Sequence, residues 1–458
     1  MKTELFTVSK VFTETIYRIP DYQRGYSWGI DQLNDFWIDI EQLQSDSKHY
    51  LGVLTLEEVP ESKWFQWDDD TWIIKSRNFK PYYVVDGQQR LTTIILLITA
   101  IIEIIERRKT KYLNFSEIKD IRKKYIFDSK PEEISRSYIF GYEKDNPSYE
   151  YLKTHIFLEI SNIHSPDEET IYTKNLLNAK NFFVEKINEM ADEEINTVFT
   201  KITQRFVFNA YEISSDIDVF VTFETMNNRG KALTTLELLK NRLIFLSTKL
   251  PTSDYNENKL RQTINDAWKD AYHYLGKNSK RLIADDKFLG TFLAYFYFTN
   301  IEKISNDDSE NEKKIQRFEM VMKRINRYLL AELFAQNRIG IKAQKDTPLP
   351  EITEKFIYDF SMQLKQSVEL YYRLSSPMDS KYSDREKIIL EQLGRLLDYG
   401  PDMLVFFIYQ LESEKNTRED LIEIREKYYF IHFIAGNTRF FKRISRQDLT
   451  MRYISKKN

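Results

Sequence analysis

The stretch PYYVVDGQQRLTTIILLITAII, residues 81–102, reads as a strand that passes through one glycine straight into a long apolar helix. Tyr82 to Val85 have the β-branched and aromatic content of a strand, and the run from Leu91 onward is too continuously apolar for a surface helix. Gly87 supplies the turn. Turn chemistry asks for nothing more, so Asp86, Gln88, Gln89 and Arg90 are surplus polar residues that need another reason.

A helix N-terminus leaves about four backbone N–H groups unpaired and carries about half a positive charge, which makes it a ready seat for phosphate. Gly87 would let a ligand approach the backbone closely, and Arg90 in the first turn can grip oxygens with two N–H groups. A cation at that end costs about 0.3–1 kcal/mol against the macrodipole, and a bound anion reverses the sign. The competing reading is an Asp86 N-cap followed by polar residues that face water. A second strand-to-helix turn, IPDYQRGYSW (19–28), also presents a Gln–Arg pair, Gln23 and Arg24, so the two turns are expected to form two sides of one polyanion pocket. Tyr22, Tyr26 and Trp28 offer a stacking face for a base, or alternatively pack under the loop.

Working outward, hydrophobic residues at 42% and aromatics at 14% suffice for a packed core, and 458 residues allow two large domains or three smaller ones. With 12 Gly and 11 Pro there is little punctuation, which favours long helices over a many-turned all-β fold. The 67 basic and 70 acidic residues give a net charge of −3, so any nucleic-acid surface must be local. The absence of cysteine excludes disulfides, cysteine-type zinc sites and thiol nucleophiles, and fits a reducing cytoplasm. The first twenty residues lack a signal-peptide pattern, and the nine residues Ile94 to Ile102 fall short of the roughly 20 of a bilayer span. A cytoplasmic protein without a membrane segment is expected.

Along the chain, ETIYRIP (14–20), HYLGVLTLEEV (49–59) and PYYVVDG (81–87) read as strands. Leu33, Phe36, Trp37, Ile40 and Leu43 stand at helical spacing, with Asp31 as the expected N-cap. Between the second and third strands lies an acidic insertion with Trp64, Trp67 and Trp72 beside Asp68, Asp69 and Asp70, read as a hairpin tip or an aromatic holder for a flipped base. A helix is expected to restart near Thr234 or Thr235, and PTSDYNENKL from residue 251 suggests a boundary. The fold class is α+β: a small mixed-sheet core with helical additions over 1–250, then a mainly α-helical domain over 251–458. The last 22 residues carry seven basic and one acidic residue, and Arg439, Lys442, Arg443, Arg446 and Arg452 interleaved with aromatics suit a DNA backbone, or form a solvated tail.

Together, IPDYQRGYSW, the strand YLGVLTL, VVDGQQRLTT and FETMNNRGKAL resemble the N-terminal domain of the GmrSD family of type IV, modification-dependent restriction enzymes. The last motif follows that family's F-x-x-x-N-x-x-G-x-x-L pattern at Phe223, Asn227, Gly230 and Leu233, and the likeness runs over roughly residues 5–250. Such a domain is similar to the ParB and sulfiredoxin fold, whose relatives hold nucleotide phosphates at the equivalent of DGQQR. Sulfiredoxin chemistry itself needs a cysteine, which this chain lacks.

The resemblance implies NTP binding and hydrolysis with Mg²⁺, coupled to recognition of modified DNA; which of GTP, CTP, UTP and ATP is used stays open. It assigns Gly87, Gln88 and Arg90 with Arg24 to the phosphates, and Gln89 or Gln23 to the ribose or to water positioning. Asp86 would order the loop or help place Mg²⁺, while Asn227, Arg229 and Gly230 would cap the pocket or form a plain helical corner. No G-x-x-x-x-G-K-[ST] occurs, so the chain is not a P-loop enzyme. Of the five histidines none lies in an HNH-type cluster; His164 in NIHSP is the nearest approach, and His432 reads as a packing residue. The resemblance therefore implies a nuclease supplied by a separate HNH-type subunit or by a part of the protein outside this sequence, with a homo-oligomer also open. A non-hydrolysing ParB-type switch and a helical scaffold that recruits a nuclease are the alternatives.

Overall fold

The computed structural model describes residues 5–20, 23–130, 136–143, 146, 148–159, 170–213, 234–250, 254–277, 283–302, 308–340, 349–396, 403–412 and 414–434. Tyr22, Phe223, Asn227, Arg229, Gly230, Leu233 and His164 lie outside the described residues, as do Arg439, Lys442, Arg443, Arg446 and Arg452. The chain forms two compact units, Met1–Gly230 and Lys231–Asn458.

The first unit is α+β. In chain order its elements are β1 (Leu5–Thr7), α1 (Val8–Val11), β2 (Thr15–Ile19), α2 (Ile30–Gln42), β3 (His49–Glu58), α3 (Glu61–Trp64), α4 (Thr71–Arg77), β4 (Lys80–Asp86) and α5 (Gln88–Arg107). There follow β5 (Tyr112–Leu113), β6 (Ser116–Glu117), α6 (Ile118–Tyr125), β7 (Phe127–Ser129), β8 (Arg136–Tyr138), β9 (Phe140–Tyr142), α7 (Ser148–Tyr151), α8 (Ile171–Asn188), α9 (Asp192–Thr200) and β10 (Phe206–Glu212). Six strands make one mixed sheet in the order β1-β10-β3-β4-β2-β9. The β3–β4 and β1–β10 pairs are antiparallel, and β10–β3, β2–β4 and β2–β9 are parallel.

The decisive helix is α5. By length and composition it could cross a membrane. Instead, every residue from Leu91 to Ile105 except Glu103 is buried in the core of this unit. Burying a Leu or Ile side chain is worth about 1.5–3 kcal/mol, so this one helix anchors the fold. Glu103, the one charged residue of that span, meets Lys180 of α8 at 2.9 Å. That lysine is itself buried and donates to the Ile156 carbonyl at 2.7 Å and the His155 carbonyl at 3.4 Å.

One local expectation is corrected and another is refined. The N-cap of α2 is Gly29, whose N–H donates to Gln32 Oε1 at 2.9 Å, and Asp31 sits in the first turn. The tryptophan-rich insertion joins the antiparallel strands β3 and β4 as expected of a hairpin tip, but it is built as two short helices, α3 and α4, with Trp64, Trp67 and Trp72 packed half-buried on the core. Asp70 explains the acidic run in part, because it is buried and paired with Arg18, whose guanidinium also lies 5.3 Å over the Trp67 ring.

The second unit is helical: α10 (Thr235–Lys249), α11 (Asp254–Lys277), α12 (Asp285–Phe296), α13 (Asp308–Met322), α14 (Glu354–Ser375), α15 (Asp384–Leu396), α16 (Met403–Leu411) and α17 (Lys415–Ile434). Helix α10 starts where the sequence suggests: Thr234 is the N-cap, and it exchanges hydrogen bonds with Glu237 across a capping box. Phe288, Phe292 and Phe296 recur every four residues along α12, and Phe360 of α14 packs edge-on against the latter two.

Candidate functional site

The junction after β4 has the expected shape. Gly87 is left-handed at φ +89° and is the N-cap of α5, with no side-chain cap and no acidic residue in the first turn. A Cβ at this position would stand 3.1 Å from Leu54 Cδ1 and 3.2 Å from the Val53 carbonyl, so both conformation and space require glycine. The first helical bond runs from the Leu91 N–H to the Gly87 carbonyl at 3.0 Å. The N–H groups of Gln88, Gln89 and Arg90 therefore open the helix without an intrahelical acceptor.

The surplus polar side chains turn out to have partners inside the protein. Pairing of β10 with β3 skips from Tyr50 to Gly52, leaving Leu51 bulged, and Gly52 is left-handed at φ +108°. Into this bulge reaches Arg90: Nη1 donates to the Leu51 carbonyl, and Nη2 donates to the Val53 carbonyl at 3.0 Å while lying 3.5 Å from Asp86 Oδ2. A Cβ on Gly52 would come within 1.9 Å of Arg90 Nη1, so the arginine head group occupies the room that the glycine leaves.

Gln23 and Gln89 do the same work from opposite sides. Pairing of β3 with β4 skips Val85, and Gln23 Nε2 donates to the Val84 and Val85 carbonyls at 2.9 and 3.0 Å. Gln89 reaches back: its Oε1 accepts from the Ser27 N–H at 2.8 Å, and its Nε2 donates to the Gly25 carbonyl at 3.2 Å. The two Gln–Arg turns thus do meet, and they meet through bonds between themselves. Arg24, buried at 7% exposure, lies in the strand-to-helix loop that these bonds press against α5.

Two other members keep a different environment. Gln88 Oε1 is buried and has no hydrogen-bond partner among the described residues. Burial pushes the Asp86 carboxyl above the usual aspartate range, against the pull of Arg90 and of the Gly87 N–H. Asp86 Oδ2 faces Arg90 Nη2 at 3.5 Å, four residues on in the same turn. Among the described residues no group of three or more acidic or histidine side chains gathers into a metal site.

The aromatic side chains of the first turn divide. Tyr26 is fully buried, its hydroxyl 2.8 Å from Thr93 Oγ1, so it packs under the loop and offers no stacking face. Trp28 is partly buried against Phe36. Sequence reasoning missed Gly52 and the carbonyls of Leu51, Val53, Val84 and Val85. The signal for Gly52 was the glycine inside an otherwise β-rich YLGVLTL, which marks a bulge or a close approach.

A sequence model described as GmrSD restriction endonuclease, N-terminal domain, matches residues 5–244, more than half of the chain. The match takes in both Gln–Arg turns, the bulged strand β3 and the first residues of α10. No curated protein matches the chain.

Proposed function

The chain belongs to the GmrSD restriction endonuclease N-terminal domain family, and from that membership and the junction geometry we propose that it is the nucleotide-hydrolysing component of a type IV, modification-dependent DNA restriction system of the cytoplasm. A separate nuclease subunit would cut the DNA.

The observation that carries the nucleotide reading is the open start of α5. Its first turn has no capping side chain and no acidic residue, and it holds an arginine that is already committed to the Leu51 and Val53 carbonyls. Free N–H groups with a positive dipole end suit the phosphates of an NTP. Arg24 would add charge from the adjoining loop.

Gln23 and Gln89, busy with the backbone, serve as braces rather than ribose contacts. Gln88 is then the water-positioning residue: its partnerless Oε1 would accept a proton-bearing bond from the attacking water. The water oxygen attacks the terminal phosphorus as the bond to the bridging oxygen breaks, and the water proton leaves with inorganic phosphate. Mg²⁺ would come with the NTP and neutralise its phosphates.

The test is phosphate release from GTP, CTP, UTP and ATP with Mg²⁺, with and without modified DNA. Gln88→Ala is expected to lower turnover by about 100-fold with the melting temperature unchanged, because its Oε1 has no partner to lose among the described residues. No release by the wild type under any of these conditions would sink the hydrolase reading. Nucleotide binding without release would point to a ParB-type switch, and no binding at all to a scaffold.

A further inference from the structure

The short hairpin after α5 is unusual. Tyr112 pairs with Glu117 and Leu113 with Ser116, so Asn114 and Phe115 make the whole turn. Both are left-handed, at φ +44° and +62°. This is the geometry that matches the twist of a two-residue hairpin, and it normally calls for Asn or Asp followed by Gly. Asn114 is an ordinary occupant; Phe115 is a bulky residue held in a conformation that L side chains resist. The strain is not repaid by packing, for Phe115 is 100% exposed.

The hairpin that carries this ring is firmly held. Leu113 is buried in the core, the Ile118 N–H donates to the Lys111 carbonyl at 3.1 Å, and the Asn114 N–H donates to Asn196 Oδ1 of α9 at 2.7 Å. The segment that carries it is basic in sequence. From Arg107 to Lys124 there are eight basic and two acidic residues, in a chain whose net charge is −3. Lys109, Lys111 and Lys119 bracket the hairpin, are exposed, and take part in no ion pair among the described residues.

An exposed ring could also meet a second copy of the chain. Two copies of this lysine cluster would repel each other, whereas a polyanion would be attracted. Given the reading that the protein acts on DNA, we propose that the hairpin is a wedge for duplex DNA, with Phe115 inserted between base pairs and Lys109, Lys111 and Lys119 on the flanking phosphates. Apolar side chains that part a base step recoup the lost stacking through the bent, more fully contacted duplex.

The experiment uses the full chain and duplexes that carry one 2-aminopurine, with unmodified, 5-methylated or 5-hydroxymethylated cytosine. Wild type is expected to bind and to brighten the probe as its base unstacks. Phe115→Gly should melt no lower than wild type, because glycine suits the turn, yet bind about tenfold more weakly and leave the probe dark. The triple variant Lys109→Ala, Lys111→Ala, Lys119→Ala should flatten the slope of log K against log salt by about three. Wild-type-like binding and brightening by Phe115→Gly would overturn the wedge and leave the DNA reading standing. Failure of the wild type to bind any duplex would remove the DNA reading itself, and the wedge with it. A shift of Phe115→Gly from dimer to monomer with DNA affinity unchanged would make the hairpin a self-association surface and overturn the proposal too.

Discussion

Asp86 is a residue whose charge the fold resists. Burial lifts its carboxyl above the ordinary aspartate value, and Arg90 with the Gly87 N–H only partly pulls it back. A carboxyl raised in this way holds its proton more tightly in the folded chain than in the unfolded one. Its stabilising contribution is therefore fully present below the unfolded value and falls as pH rises through the folded one. Asp86→Asn should accordingly gain on the wild type in thermal melting as pH rises above the ordinary aspartate range of about 4. Parallel melting curves over that rise would show that the carboxyl titrates normally. At this scale the sequence was only half legible. It marked Gln23, Gln88, Gln89 and Arg90 as more than a turn requires, but the carbonyls that bind three of them belong to bulges in β3 and β4 and to the 23–29 loop. Partners so far along the chain leave no local trace.

Among elements, the bulge of β3 and the first turn of α5 form one unit, because Arg90 lies where a side chain on residue 52 would be. Gly52→Ala must expel the guanidinium and also hold alanine at φ +108°. Arg90→Ala leaves the Leu51 and Val53 carbonyls without their donors. Each change is expected to cost about 2–3 kcal/mol in urea unfolding, while the double variant falls short of the sum by about 1–2 kcal/mol. Strict additivity would mean that the two residues do not share this space. The elements themselves were uneven to read. Strands β2, β3 and β4 and helices α2 and α5 declare themselves through β-branched runs, helical spacing and the glycine break. Strand β10 does not: FVFNAYE is buried on consecutive positions without alternation, and its parallel partner β3 lies about 150 residues earlier. With β10 unseen, the six-stranded order could not be assembled from sequence.

For the molecule as a whole, the two units carry oppositely tuned carboxyls. In the second unit Glu386, 1% exposed, closes the capping box of α15 by accepting from the Ser383 N–H at 3.0 Å, and it also accepts from Tyr409 at 3.0 Å and Arg418 at 3.2 Å. Burial works to raise its carboxyl, but these donors outweigh it and hold it below the usual glutamate range. The stability it contributes is present above the unfolded value and is lost as pH falls through the folded one, the reverse of Asp86. Glu386→Gln should lower the stability of this unit by about 1–3 kcal/mol at neutral pH and by less near about pH 4. An equal loss at both would assign the effect to packing instead of charge.

The lodging of Arg90 in the hollow over Gly52 also bears on descent. Positions 52 and 90 are 38 residues apart, yet neither can drift alone: a side chain at 52 evicts the arginine, and a short residue at 90 strands two carbonyls. Lineages are expected to keep or discard the pair together.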